Sequence, residues 1–201
     1  ETLKLIPVQT LSANGFDENF ASEAKDINLG KSAVKETPLI FVKKLADLKA
    51  KTSQKDASAA DWYAYGKGLY NLSYYGQAWI LTQRGKSTSD LEYRDEIKTD
   101  YYLTENARKA FEMALSLKSD KELAAKICYA GALCERNQYL VKYFSEKPDD
   151  YNQTDAYLAK MKKNELPKYR NFFTKLWKNY QDTQYQKMVL KECETYANFV
   201  K

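Results

Sequence analysis

The chain contains no histidine. That removes Ser-His and Cys-His nucleophile systems, HExxH zinc sites and imidazole proton shuttles. Cysteine is scarce: Cys128, Cys134 and Cys193 lie at no CxxC spacing, so neither a zinc ribbon nor a thioredoxin-like motif is written here. An odd number cannot pair completely, and free thiols that pack as small core hydrophobes are the simplest reading. Glycine is also sparse. Its one close pair, Gly66-x-Gly68, follows no strand and lacks the third Gly and the Lys-Ser/Thr of a phosphate loop, so it reads as close helix packing. No run of about 18 apolar residues is present, which argues against a transmembrane helix. No signal-peptide pattern opens the chain, and it begins at Glu1 rather than Met, as a processed product or a fragment would.

What is present is a helical body. The 201 residues are 44% hydrophobic, enough for a sizeable core, and include 17 Tyr, a residue suited to surfaces that are half buried and half wet. Net charge is +5, but residues 1–37 hold 4 Lys against 6 Asp/Glu, which leaves +7 on the remainder. Basic residues there alternate with acidic ones, as on a solvated helical surface, and the Lys160-x-Lys162-Lys163 and Lys175-x2-Lys178 groups form no dense stripe for nucleic acid. The acidic pairs Asp95-Glu96 and Asp149-Asp150 fall in expected loops, as solvated charge rather than a catalytic pair.

Residues 1–36 lack helical periodicity and read as an extended arm with an apolar patch at Leu3, Leu5, Ile6 and Val8 that can dock on the body. Thr37-Pro38 is a helix start, followed by Leu39, Val42, Leu45 and Leu48 on one stripe. Ser58-x-x-Asp61 is a capping box. The helix it opens is expected to turn Trp62, Tyr65, Leu69 and Leu72 to the core and to end at Gly76, with a short partner helix over 77–82. After a polar insert at 85–98 come one helix over 100–117, another opened by Asp120, a weaker one at 154–163, one opened by Pro167, and a last one over 183–200. Six or seven helices in hairpins cannot bury their faces singly, so they must stack.

Trp62-x2-Tyr65-Gly66-x2-Leu69 with Ala78, and Ala107-x3-Phe111-x2-Ala114, resemble the helical hairpin of tetratricopeptide (TPR) repeats. The resemblance implies an all-α, TPR-like α-α superhelix of about three irregular hairpins over 37–201. Departures are Thr82 and Gly85 at later hairpin positions and the absence of an intact repeat period. The run Tyr70-Asn71-Leu72-Ser73-Tyr74-Tyr75-Gly76-Gln77-Ala78-Trp79, with Cys134-Glu135-x-Asn137 and Phe173-x2-Leu176-x3-Tyr180-x-Asp182-Thr183 further on, resembles a YNxxYYGxxW signature in an uncharacterised Bacteroidetes-type family. That resemblance implies a helical module, often part of a longer chain and exported to the periplasm or cell surface.

These readings point to a non-catalytic protein–protein interaction scaffold with no cofactor, no metal and no nucleic-acid partner. Tyr63, Tyr70 and Tyr74 share a stripe apart from Trp62 and are the expected anchors for a protein or peptide on a concave face. The competing arrangement packs these rings between hairpins with their hydroxyls on turn backbone. Two alternatives stand beside the scaffold: a structural C-terminal module of a longer protein, and glycan capture. An exposed aromatic beside the inserts at 85–98 or 144–166 would favour glycan capture.

Overall fold

The structure is a computed structural model and describes residues 37–83, 85–87, 89–93 and 95–201. The expected arm at 1–36 lies outside the described residues. Within them every regular element is helical.

Helix α1 (Pro38–Thr52) starts as its sequence dictates: Thr37 Oγ1 accepts the Ile40 N–H at 3.3 Å and Pro38 occupies the first turn. Helix α2 (Ala59–Asn71) begins with the reciprocal box, the Ser58 hydroxyl accepting from Asp61 N–H and the Asp61 carboxylate accepting from Ser58 N–H at 2.9 Å. Lys51 reaches the same carboxylate at 2.6 Å, tying the last turn of α1 to the first turn of α2. At the other end of the pair Phe41 is fully buried with Ala78, among Val42, Leu45, Leu72 and Leu81.

After α2 the chain folds back on Asn71, whose carbonyl accepts Ala78 N–H at 2.8 Å and whose Oδ1 accepts Gln77 N–H at 3.0 Å. Gly76 is required there: a Cβ would sit 2.2 Å from the Asn71 Cα. The helix expected over 77–82 is only a single 3-10 turn, Trp79–Leu81. The true partner of α2 arrives much later. Between them lie α3 (Asp90–Tyr93), a 3-10 turn (Asp95–Lys98) and α4 (Asp100–Leu103), and then α5 (Glu105–Ser116) packs along α2. The single helix expected over 100–117 is broken at Thr104, which is left-handed at φ 51°, ψ 32°. The Asp100 carboxylate caps the new start, accepting from Glu105 N–H at 2.7 Å and Asn106 N–H at 3.0 Å.

Gly66 explains how closely α2 and α5 approach: a Cβ there would lie 2.6 Å from the ring of buried Phe111. Tyr70, near the end of α2, and Thr104, at the start of α5, both accept from the Asn137 amide, so the two helices run antiparallel. Helix α6 (Lys121–Glu146), capped by Asp120 at 2.8 Å, is the spine of the molecule; of the two ends the sequence allows, near Asn137 or on through Tyr143, it passes even the later. Its residues Ile127–Glu135 are continuously buried, as a helix covered on several sides must be. It packs on α5, and on α8 (Asn171–Asn179) and α9 (Gln184–Glu192).

The α6–α8 contact repeats the α2–α5 device. A Cβ on Gly131 would lie 2.5 Å from the Phe172 ring. Two carboxylates of α6 cap the helices that follow. Glu135 accepts Phe172 N–H at 3.0 Å and the Asn171 amide at 3.1 Å. Glu122 accepts Gln184 N–H at 2.6 Å and Tyr185 N–H at 3.0 Å. Between α6 and α8 the chain makes α7 (Tyr151–Lys160), a π turn (Met161–Glu165) and a 3-10 turn (Leu166–Tyr169), so the helix expected to open at Pro167 starts a turn later. The expected terminal helix is divided at Cys193, extended at φ −109°, ψ 100°, and α10 (Glu194–Val200) follows, with Tyr196 buried against Phe173.

Candidate functional site

Tyr63, Tyr70 and Tyr74 do not line a groove. They are 4%, 3% and 8% exposed, too little to anchor a partner. Tyr63 packs on Phe111 with ring centroids 5.9 Å apart. Tyr70 accepts from Asn137. Tyr74 lies among Tyr75, Tyr101 and Tyr102, and donates its hydroxyl to the Ser87 carbonyl at 2.6 Å. The competing arrangement, rings inside with a hydroxyl on loop backbone, describes Tyr74.

The two stripes of α2 have exchanged roles. Ala59, Tyr63, Gly66 and Tyr70 face the core, and Trp62, Tyr65 and Leu69 are only half-buried. With Ala110 and the exposed Met113 of α5 these three line a shallow apolar hollow of about 290 Å³, rimmed by Asn106 and Lys109. Lys109 is paired with Glu105 at 2.9 Å. Apolar surface of this kind left on a helix pair is where a further element would gain burial energy, about 25 cal/mol per Å².

A larger hollow, about 440 Å³, lies over α6 between α5 and the 3-10 turn before α8, with Arg108, Gln138, Val141, Lys142 and Tyr169 among its lining. Two of its cations are paired: Arg108 with Glu112, and Lys142 with Glu146 at 2.7 Å.

A third hollow, about 320 Å³, forms where the two inserts meet. Lys147 reaches Glu92 of α3 at 2.8 Å across that junction. Tyr151 borders it and is 89% exposed, the most exposed large hydrophobic residue described. No anchor was expected at Tyr151. The sequence did carry a signal: Tyr151 sits in the first turn of α7, just after the capping Asp150, and its i+3 and i+4 neighbours are Thr154 and Asp155, so no apolar stripe continues from it.

The thiols carry no reactive signature. Burial pushes Cys128 up to about 12 and raises Cys134 as well, far from the thiolate that nucleophilic chemistry needs. Cys193 is half-buried, and all three are unpaired with one another. Among the described residues no helix is long and apolar enough to cross a membrane. No protein-family model, curated protein or solved structure matches the chain.

Proposed function

We propose that the chain is a TPR-like helical scaffold of the bacterial envelope whose work is protein binding and not catalysis. Two helix pairs support the repeat reading. In α2–α5, Trp62, Tyr65, Gly66 and Leu69 are matched by Ala107, Phe111 and Ala114, and the Gly66–Phe111 approach is the contact on which such a hairpin turns. In α6–α8, Ile127, Ala130, Gly131 and Cys134 stand at the same offsets and Gly131 meets Phe172. Helices α1 and α9–α10 would then be the incomplete units at the two ends, each pair having its loop widened by an insert.

The observation that carries the binding reading is the half-exposed stripe of Trp62, Tyr65 and Leu69 beside exposed Met113. The α2–α5 pair is covered by α6 elsewhere, so the occupant best suited to the open stripe is another helix, supplied by a partner protein through an apolar face. The net positive charge of residues 38–201 favours a partner with acidic flanks.

A photocrosslinking residue at Met113, with a second chain carrying it at exposed Lys187 as control, tests this in envelope extract. The expected result is an adduct at Met113 alone, whose crosslinked peptide maps to an amphipathic helix of the captured protein. Equal adducts at both positions, or none at Met113, would overturn the reading.

A further inference from the structure

The hollow where the inserts meet has a composition that selects its ligand. Its polar groups are the carboxylates of Glu92 and Asp149, the ammonium of Lys147 and the hydroxyl of Thr154, set beside the ring of Tyr151 with half-buried Phe144 at its wall. Acceptors and donors therefore stand together. Two carboxylates against one ammonium, itself 2.8 Å from Glu92, give a net negative lining that disfavours phosphate, sulfate and uronate. Because that ammonium already holds Glu92, a single exposed carboxylate, Asp149, is left to attract a cationic peptide, which is little attraction in water. A ligand that suits both is neutral, donates and accepts hydrogen bonds through the same groups, and has a flat apolar face for an aromatic ring.

From this we infer that the Glu92–Lys147–Tyr151 hollow is a binding site for a neutral saccharide. The axial hydrogens of a pyranose ring present a weakly positive, apolar face, and the Tyr151 ring offers the negative face of its quadrupole to it. Sugar hydroxyls donate to the Glu92 and Asp149 carboxylates and accept from Lys147 and Thr154. The volume lies at the small end of ligand sites, about 300–1,000 Å³, and suits a short saccharide. Tyr151 is 89% exposed, an unusual setting for a large aromatic, and its loss would uncover nothing in the core.

This inference develops the glycan alternative and stands on other elements than the Trp62 stripe, so either can fail alone. Saturation-transfer-difference NMR on the full chain with maltotriose, cellotriose, xylotriose, mannotriose and chitotriose, each at about 1 mM, is the test. Basic hexapeptide and a uronic-acid trimer serve as comparison ligands. We expect signal from at least one neutral trimer, strongest at ring protons of one sugar face, and reduced about tenfold or more in affinity by Tyr151→Ala. Glu92→Gln should weaken binding less, because an amide still accepts and donates. Both substitutions are on exposed side chains, so an unchanged circular dichroism spectrum is expected. Silence from all five neutral trimers, signal unaffected by Tyr151→Ala, or signal confined to the uronate or the basic peptide would each overturn the inference.

Discussion

Gly66 and Gly131 each hold a place where a single methyl has no room. Alanine in a helix interior is ordinarily favoured over glycine by about 1 kcal/mol. Here the added Cβ would meet a ring that is itself fixed in the core, Phe111 or Phe172, and overpacking of that kind costs about 1–3 kcal/mol. Gly131→Ala should therefore lower the urea midpoint despite its better helix propensity. Gly66→Ala should do the same, and adding Phe111→Leu should restore part of the loss, an interaction that a double-mutant cycle would read directly. Asp61 shows the opposite kind of residue effect, electrostatic and at the surface. The Lys51 ammonium, then the Ser58 hydroxyl, hold its carboxyl down to about 2. A depressed carboxylate contributes stability above its unfolded value of about 4 and loses it as pH falls through the folded value. The stability gap between the native chain and Asp61→Asn should thus be open at pH 6 and close toward pH 2, measured by urea unfolding across that range. Added salt should narrow it throughout, because the pair is screened.

One helix becomes two at Thr104. A β-branched residue at φ 51° is strained by about 1–3 kcal/mol, and its hydroxyl sits 3.4 Å from the Asn137 amide. Thr104→Val keeps the strain and loses that hydroxyl, so it should destabilise; Thr104→Gly releases the strain and should lie above Val in thermal midpoint. The caps were legible in the sequence because each is local chemistry: Thr37 before Pro38, Ser58 three residues before Asp61, Asp120 three before Leu123. The break at Thr104 was not legible, since no glycine marks it and its cause is the Asp100 carboxylate reaching forward to Glu105. The face of α2 was not legible either. Trp62, Tyr63, Tyr65, Leu69 and Tyr70 put apolar surface nearly all round it, and periodicity cannot choose between stripes in such a helix. Gly66 made the choice, through Phe111, and a glycine opposite a distant phenylalanine is not a local signal. The proposed anchors therefore moved from Tyr63, Tyr70 and Tyr74 to Trp62, Tyr65 and Leu69 on the neighbouring stripe. Tyr151 was hidden by the opposite circumstance, a lone aromatic in a polar run, which periodicity ignores. Glu135 could not be read as a cap at all, because the N–H it serves belongs to Phe172. Glu135→Ala should cost about 1–3 kcal/mol by stranding that buried donor, measured by urea unfolding at pH 7.

At the scale of the molecule, the all-helical class followed from composition and capping, whereas the order of packing did not. A short connection suggests that neighbours in sequence pair, and 71–77 looks like such a connection. The structure instead places α5 on α2 and fills residues 72–104 with the turn at Gly76, α3, α4 and a tyrosine-rich cluster against α6. The connection holds exposed Gly85, where an added Cβ would meet nothing within 4 Å. Two helices that depend on each other thus lie on opposite sides of a segment that, just past Gly85, is held by Lys86 over the Tyr74 ring at 4.8 Å and by the Tyr74 hydroxyl on the Ser87 carbonyl. The chain is in this sense severable: a single cut beside Gly85 leaves α1–α2 on one piece and α3–α10 on the other, joined by the Gly66–Phe111 interface, the Tyr70–Asn137 hydrogen bond and the packing of Tyr74 on Tyr101 and Tyr102. Fragments 37–85 and 86–201, expressed separately, should recombine on mixing, and Gly66→Ala in the smaller piece should weaken their union. The Gly66–Phe111 contact would then act as a docking lock between two halves that no longer share a backbone.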